Sequence, residues 1–201
     1  MASPEKHIAD FFFEVGTLAK TPRSGFHFLG TGEQSVAEHT CRVIYIGYAL
    51  ASMEKDADVL KVLKMCLLHD LPEARVSDLN YVHQKYVTKD EGQAVQDLAA
   101  NIPFGKDVLD TIGEYEERQT KEALIAKDAD NLEWITTLKE QVDIGNVRAK
   151  EWIKSAVKRL KTESGKKVVK EILKTDSDDW WFSDKKDDWW INRNQRKLLD
   201  R

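Results

Sequence analysis

The sequence has too few cysteines for a disulfide framework, no surplus of basic residues and no long apolar run. Its two cysteines, Cys41 and Cys66, form no CxxC pair, so we expect two small core residues in a reducing environment. The formal net charge of −4 gives no basic footprint for a nucleic acid polymer. Without a stretch of membrane-spanning length or a charged-then-apolar leader, the chain is expected to be cytoplasmic, with no membrane partner.

Strand-like alternation is nearly absent as well, and helical periodicity dominates the sequence. The pattern predicts an all-α bundle of about six to eight helices, forming one domain over residues 1–175. Ser35 and Glu38 have the spacing of a capping box. The helix that ends at His69 is apolar almost all round, so we expect it to be the buried centre of the bundle. The predicted helices cover 5–20, 36–53, 57–69, 83–100, 107–117, 121–144, 147–161 and 166–173.

The C-terminal part of the chain, 176–201, differs from the rest in composition. Residues 176–190 contain six Asp and four of the six Trp of the chain. This change predicts an acidic, Trp-rich tail outside the helical core. Paired tryptophans between acids favour docking on the chain's own helices or across a homodimer, rather than on another protein. We therefore expect a homodimer.

Four residues carry the strongest chemical signal. His69 and Asp70 are adjacent, with His39 upstream and Asp130 downstream, all in helical, apolar surroundings. Carboxylates are costly to bury unless a cation or dense hydrogen bonding compensates them. Two nitrogen and two oxygen donors suit a divalent transition metal that keeps positions open for water and substrate. The pattern predicts a hydrolytic metal site, the alternative being a helix-ending histidine followed by an exposed aspartate.

The order of motifs resembles the HD-domain phosphohydrolases, and within them the bacterial 5'-deoxynucleotidase branch and its HD-domain-containing relatives. The similarity covers roughly residues 5 to 160. It is carried by Arg23 and by the segments SVAEH at 35–39, HDLPE at 69–73, SDL at 77–79 and KDAD at 127–130. The resemblance implies one divalent ion (Mn²⁺, Co²⁺, Fe²⁺, Ni²⁺ or Mg²⁺). Its ligands are then His39, His69, Asp70 and the second acid of KDAD, Asp130.

The resemblance also implies roles for residues near the ion. Glu73 matches the catalytic acid, placed to shuttle a proton; the alternative is a surface carboxylate. Arg23 matches the phosphate-contacting arginine, or is an ordinary loop residue. Asp78 matches the residue that contacts the nucleotide sugar, although it could equally cap the following turn. Phe26 stands near the position where relatives carry Trp, which leaves base stacking possible.

Taken together, these matches imply a metal-dependent phosphomonoesterase. Its expected substrates are small nucleotides, namely nucleoside 5'-monophosphates and in particular deoxynucleoside 5'-monophosphates. One alternative is a phosphodiesterase or pyrophosphohydrolase of a signalling nucleotide, which often uses a second metal and extra histidines. His83 is the one candidate in that stretch, so we expect a mononuclear site. The other alternative is a regulatory nucleotide-binding or interaction module, whose hallmark would be a lost ligand or a lost Glu73; all are present.

Overall fold

The computed structural model describes residues 2–182, and these residues are helical apart from loops and one isolated β-bridge. The all-α prediction is confirmed. Eight helices have nine or more residues, at the upper end of the expected number, and three have four. In chain order they are α1 Pro4–Val15, α2 Phe26–Leu29, α3 Val36–Met53, α4 Val59–Leu68, α5 Glu73–Val76, α6 Glu91–Ala99, α7 Gly105–Glu117, α8 Lys121–Asp143, α9 Val147–Ala156, α10 Glu163–Ile172 and α11 Asp179–Phe182.

Helix ends follow local capping signals. The Ser35 backbone N–H donates to Glu38 Oε2 at 2.6 Å and the Glu38 N–H donates to Ser35 Oγ at 3.2 Å, so the predicted capping box is confirmed. The predicted helix 83–100 is wrong over 86–90, which form a loop between a short 3₁₀ turn and α6. The Asp90 side chain accepts the N–H of Gln93 and begins α6 there, because an aspartate at the N-cap favours a new start.

The long helix α8 is the centre of the bundle. Helices α3, α4, α7, α9 and α10 all pack against it. It contributes a run of side chains with no exposed surface: Ala123, Ile125, Ala126, Ala129, Leu132, Ile135 and Leu138. The sequence pattern does not mark α8 as central, because it also buries the charged residues Asp128 and Glu133.

The helix expected at the centre, α4, lies at the side of the bundle, so that prediction is wrong. Leu60 and Leu67 on its outer face are 69% and 54% exposed. The two lysines of α4, Lys61 and Lys64, are partly buried in ion pairs with Glu114 and Asp107, while leucines face solvent. The apolar composition of the helix therefore overstates its burial.

Helices α3 and α4 approach each other closely at Gly47. A Cβ atom built there would overlap Cys66 Sγ, so a larger residue would force that side chain or one of the two helices to shift. Cys66 is buried, as expected, whereas Cys41 is exposed, contrary to expectation. The close crossing brings together the two helices that carry His39 and His69.

The predicted tail lies largely beyond the described residues. Of 176–201, the structure describes 176–182, where α11 forms and Trp180 is exposed. Within residues 2–182, no helix combines the length and the apolar character needed to cross a membrane.

Candidate metal centre and adjoining cavity

The four predicted ligands converge from three helices. His39 lies in the first turns of α3, His69 and Asp70 directly follow α4, and Asp130 lies in the middle of α8. His39 Nε2 is 3.2 Å from Asp130 Oδ1, 3.5 Å from Asp70 Oδ2 and 3.4 Å from His69 Nε2. His69 Nε2 is in turn 3.3 Å from Asp70 Oδ2. Both imidazoles are buried, and both carboxylates are mostly so.

The donor set fits a divalent cation. Ligands about 2.1 Å from an ion lie about 3.0 Å apart in an octahedron and about 3.4 Å apart in a tetrahedron. The separations around His39 Nε2, from 3.2 to 3.5 Å, are close to the tetrahedral value. The other nitrogen of each imidazole is already engaged, His39 Nδ1 with Glu133 and His69 Nδ1 with the Cys66 carbonyl at 2.9 Å. Both Nε2 atoms therefore face the carboxylates.

Charges in the cluster favour a cation. Burial would raise the pKa of the Asp130 carboxyl, but Lys127, 2.6 Å away, and His39 outweigh it and hold that pKa well below its usual range. Burial and Arg23 act to lower the pKa of His39. Hydrogen bonds to Asp130 and Glu133 and the charge of Asp70 raise it to about 9. The carboxylates thus stabilise positive charge at the place where the imidazoles meet.

Glu133 is a residue of this site that sequence reasoning missed. It lies on α8 one turn after Asp130, has no exposed surface, and bonds His39 Nδ1 through Oε2 at 2.6 Å. The signal was available, since Glu133 stands between Leu132 and Trp134 in an otherwise apolar stretch. An acid in such a place needs a partner, which is the argument that singled out Asp130.

Arg23 and Asp78 lie next to the cluster. Arg23 Nη1 is 3.2 Å from Asp70 Oδ2 and 3.8 Å from Asp78 Oδ2, with only 16% of its side chain exposed. Asp78 accepts the Ser24 backbone N–H at 2.8 Å. Asp78 therefore ties down the loop that carries Arg23, while its carboxylate still borders the cavity.

Glu73 begins α5 with its carboxyl group turned inward. Its side chain is 11% exposed, and within the described residues Oε2 has no hydrogen-bond partner. Burial and the charges of Asp70 and Asp78 raise the pKa of this carboxyl to about 9, against the opposing charges of Arg23 and Lys89. Glu73 is therefore an inward carboxyl group with a raised proton affinity and no saturating partner.

A cavity of about 760 Å³ opens from the cluster. Its wall holds Arg23, Asp70, Glu73, Asp78 and Asp130 at one part, and aromatic side chains elsewhere: Phe28, Tyr81, Trp134 and Trp152. Five of the predicted site residues therefore line the same cavity.

Phe26, the predicted stacking residue, lines a different, smaller cavity of about 480 Å³. Trp134 separates it from the larger one, with the two rings edge to face and their centroids 5.6 Å apart. The Trp134 ring also packs on Gly25, where a Cβ would lie 2.7 Å from it. Because the indole fills this space, Phe26 turns away, and Trp134 takes the position beside the cluster.

Comparison with known proteins identifies the family of the chain. The profile of the HD-domain family matches residues 15–173. The chain is 32% identical over 139 residues to the 5'-deoxynucleotidase HDDC2 of Dictyostelium discoideum, covering 63% of this chain and 73% of the relative. The protein of that name from Bos taurus is 25% identical over 147 residues, covering 70% and 71%.

A solved structure extends the match to the fold. A conserved hypothetical protein from Pyrococcus furiosus superimposes with a TM-score of 0.73 and 30% identity, covering 83% of this chain and 99% of that one. The predicted resemblance is confirmed by sequence and by fold. The chain therefore belongs to the HD-domain family, in the branch that contains the 5'-deoxynucleotidase HDDC2 proteins.

Proposed function

We propose that this protein is a metal-dependent phosphatase that releases phosphate from nucleoside 5'-monophosphates, with deoxynucleotides as preferred substrates. The chain is a hydrolase of phosphate esters, as its family membership implies. The observation that carries the proposal is that the cluster of two imidazoles and two carboxylates borders one cavity, whose wall contains both of these carboxylates, Arg23 and Glu73. His39, His69, Asp70 and Asp130 would hold the divalent ion.

The ion, when bound, would polarise a phosphoryl oxygen and lower the pKa of a water molecule. Arg23 binds the phosphoryl group, because its guanidinium offers paired donors and neutralises the charge that develops there. Asp70 and Asp78 hold the guanidinium from one side. The orientation of Arg23 is therefore fixed before a substrate arrives.

Glu73 handles the proton. Its raised pKa, about 9, keeps the carboxyl protonated near neutral pH before substrate and ion bind. A protonated carboxyl can donate to the leaving alkoxide, and the carboxylate can then take a proton from the attacking water. Because Glu73 Oε2 has no partner in the described residues, it is free for either exchange.

The nucleoside fits the rest of the cavity. A volume of about 760 Å³ is within the range of small-ligand sites and suits a mononucleotide. Trp134, Trp152 and Phe28 replace Phe26 as stacking surfaces for the base. Asp78 remains the residue proposed to accept a hydrogen bond from a sugar hydroxyl. Arg23 provides one strong anion contact, and the chain has no Walker lysine motif for a triphosphate.

Phosphate release from purified protein tests the proposal. We expect several deoxynucleoside 5'-monophosphates to be hydrolysed with Mn²⁺ or Co²⁺, in preference to 3'-monophosphates and to di- and triphosphates. The matched blank is the same protein stripped of metal with a chelator, assayed at equal concentration. Preference for a cyclic nucleotide or a pyrophosphate would reject the nucleotidase function. It would favour the signalling phosphodiesterase instead and leave the metal centre in place.

A further inference from the structure

The His39 imidazole has a different neighbour on each side. Its Nε2 atom faces Asp70, Asp130 and His69 at 3.2 to 3.5 Å. Its Nδ1 atom lies 2.6 Å from Glu133 Oε2. An imidazole that ligates through Nε2 must carry its proton on Nδ1, and an acceptor at Nδ1 selects that tautomer.

The two oxygens of the Glu133 carboxylate have separate partners. Oε2 is bonded to His39. Oε1 accepts from Gln34 Nε2 at 2.7 Å, from Arg42 Nε at 3.0 Å and from Thr137 Oγ1 at 3.1 Å. Three donors from two helices and a loop thus fix one end of the carboxylate, and its other end is left to the imidazole. The whole group has no exposed surface, so water does not compete for these bonds.

Arg42 supplies the charge that makes this burial tolerable. It ion-pairs with Glu133 at 2.9 Å and reaches out to Glu140 at 2.6 Å. A buried carboxylate with a paired arginine stays ionised and accepts strongly. The chain Glu140–Arg42–Glu133–His39 therefore runs from the smaller, solvent-facing cavity to the ligand cluster.

We propose that Glu133 is a positioning residue for the metal centre, which holds His39 in the Nδ1–H tautomer and aims Nε2 at the ion. The proposal rests on the metal centre of the proposed function, but not on the identity of the substrate. Glu133 itself touches neither ion nor nucleotide and acts through His39. Removing it leaves the imidazole free to rotate or to change tautomer.

Metal affinity of the metal-free protein is the main test, with Mn²⁺ as titrant in a calorimeter. Loss of a carboxylate behind a ligating histidine typically weakens metal binding by about 10–100-fold. We expect Glu133→Ala to fall in that range, and Glu133→Gln to fall between it and the wild type, because a glutamine oxygen still accepts the Nδ1 proton.

Asp128→Asn is the matched control. Asp128 is also buried and lies on the same helix, but its carboxylate accepts from the backbone N–H groups of Lys161 and Thr162. This variant should lower the unfolding temperature and leave the Mn²⁺ dissociation constant unchanged. If the folded fraction of the Glu133 variants binds Mn²⁺ with an unchanged dissociation constant, as expected for the control, Glu133 is merely structural and the proposal is wrong.

Imidazole ¹⁵N NMR on the Zn²⁺-loaded wild type decides the matter even if the Glu133 variants fail to fold. The proposal predicts a protonated Nδ1 and a coordinated Nε2 at His39, and the opposite assignment overturns it. Wild-type protein that binds no divalent ion would reject both this proposal and the proposed function. Protein that binds Mn²⁺ through an oriented His39 but releases no phosphate would reject the function alone.

Discussion

Glu73 and Glu133 lie on different sides of the ligand cluster, and their buried carboxyl groups differ in hydrogen bonding and in pKa. On the cavity side, Glu73 leaves a buried carboxyl oxygen without a partner in the described residues, and its pKa rises to about 9. On the helix side, every oxygen of Glu133 has a donor, and His39 and Arg42 outweigh the effect of burial and lower its pKa to about 2. A buried group with an unused hydrogen-bonding position can bind a ligand or exchange a proton, whereas a group whose positions are all used holds its neighbours in place. Glu73 is thus suited to proton exchange, and Glu133 to holding His39.

The strongest test of the contrast removes a ligand from the cavity side. Asp130→Ala and His69→Ala should each abolish metal binding and phosphate release, because each deletes one of four donors. Metal analysis after gel filtration measures the first effect and a phosphate assay the second. Full occupancy with unchanged coordination in Asp130→Ala would show that Asp130 is not a ligand.

A substitution at Glu73 should have a smaller effect, because it leaves the metal ligands in place and removes only the group that exchanges protons. Glu73→Gln should bind metal normally and turn over about 10²–10⁴-fold more slowly, because the amide has the shape of the carboxyl group without its acidity. Steady-state kinetics and metal analysis of the same sample check both points. Near-normal turnover across the pH range would remove Glu73 from the mechanism.

The Glu73→Gln substitution should also make the stability of the metal-free protein less dependent on pH. Glu73 titrates near pH 4.5 in the unfolded chain and near 9 in the folded metal-free protein. The stability contributed by its proton is full below pH 4.5 and is lost as the pH rises towards 9. Metal-free Glu73→Gln has no such proton to release. Thermal unfolding should therefore show it losing less stability than the wild type from about pH 5 to 9; parallel curves would contradict the raised pKa.

The smallest expected effect on either side comes from removing the tail. Deleting residues 176–201 should leave metal content and turnover unchanged, because the described part of this segment, 176–182, does not line the cavity beside the cluster. The homodimer remains a prediction from the paired tryptophans. If the tail docks, sedimentation should show weaker self-association after the deletion, or a solubility measurement should show a less soluble protein. Unchanged association, solubility and unfolding temperature would reject tail docking and favour an external partner.

The proposed ligand residues can be singled out in the sequence by their apolar surroundings. His69 and Asp70 end an apolar run, and Asp130 lies at three- and four-residue steps from Ala123, Ala126, Trp134 and Thr137, on an apolar face of its helix. The family resemblance separated Asp130 from Asp128, and the structure gives a physical reason. Asp128 accepts backbone N–H groups at the start of α10, so its charge is already satisfied.

What the sequence could not predict depends on contacts between distant segments. Helix α8 is central although it carries charges, because Arg42 and His39 come from α3 to satisfy Glu133. Trp134 lines the cavity beside the cluster and Phe26 does not, because the indole packs on Gly25 more than 100 residues away in the sequence. Periodicity records which side of a helix is apolar, but it does not record which partner covers it.

The contact at Gly47 makes the metal centre sensitive to a residue that touches none of its ligands. Gly47 lies eight residues after His39 in α3, about 12 Å along the helix axis. A methyl group added at Gly47 would overlap Cys66 Sγ and press α4 away from α3. A Gly47→Ala substitution is therefore expected to change the spacing of the His39 and His69 imidazoles without touching either side chain.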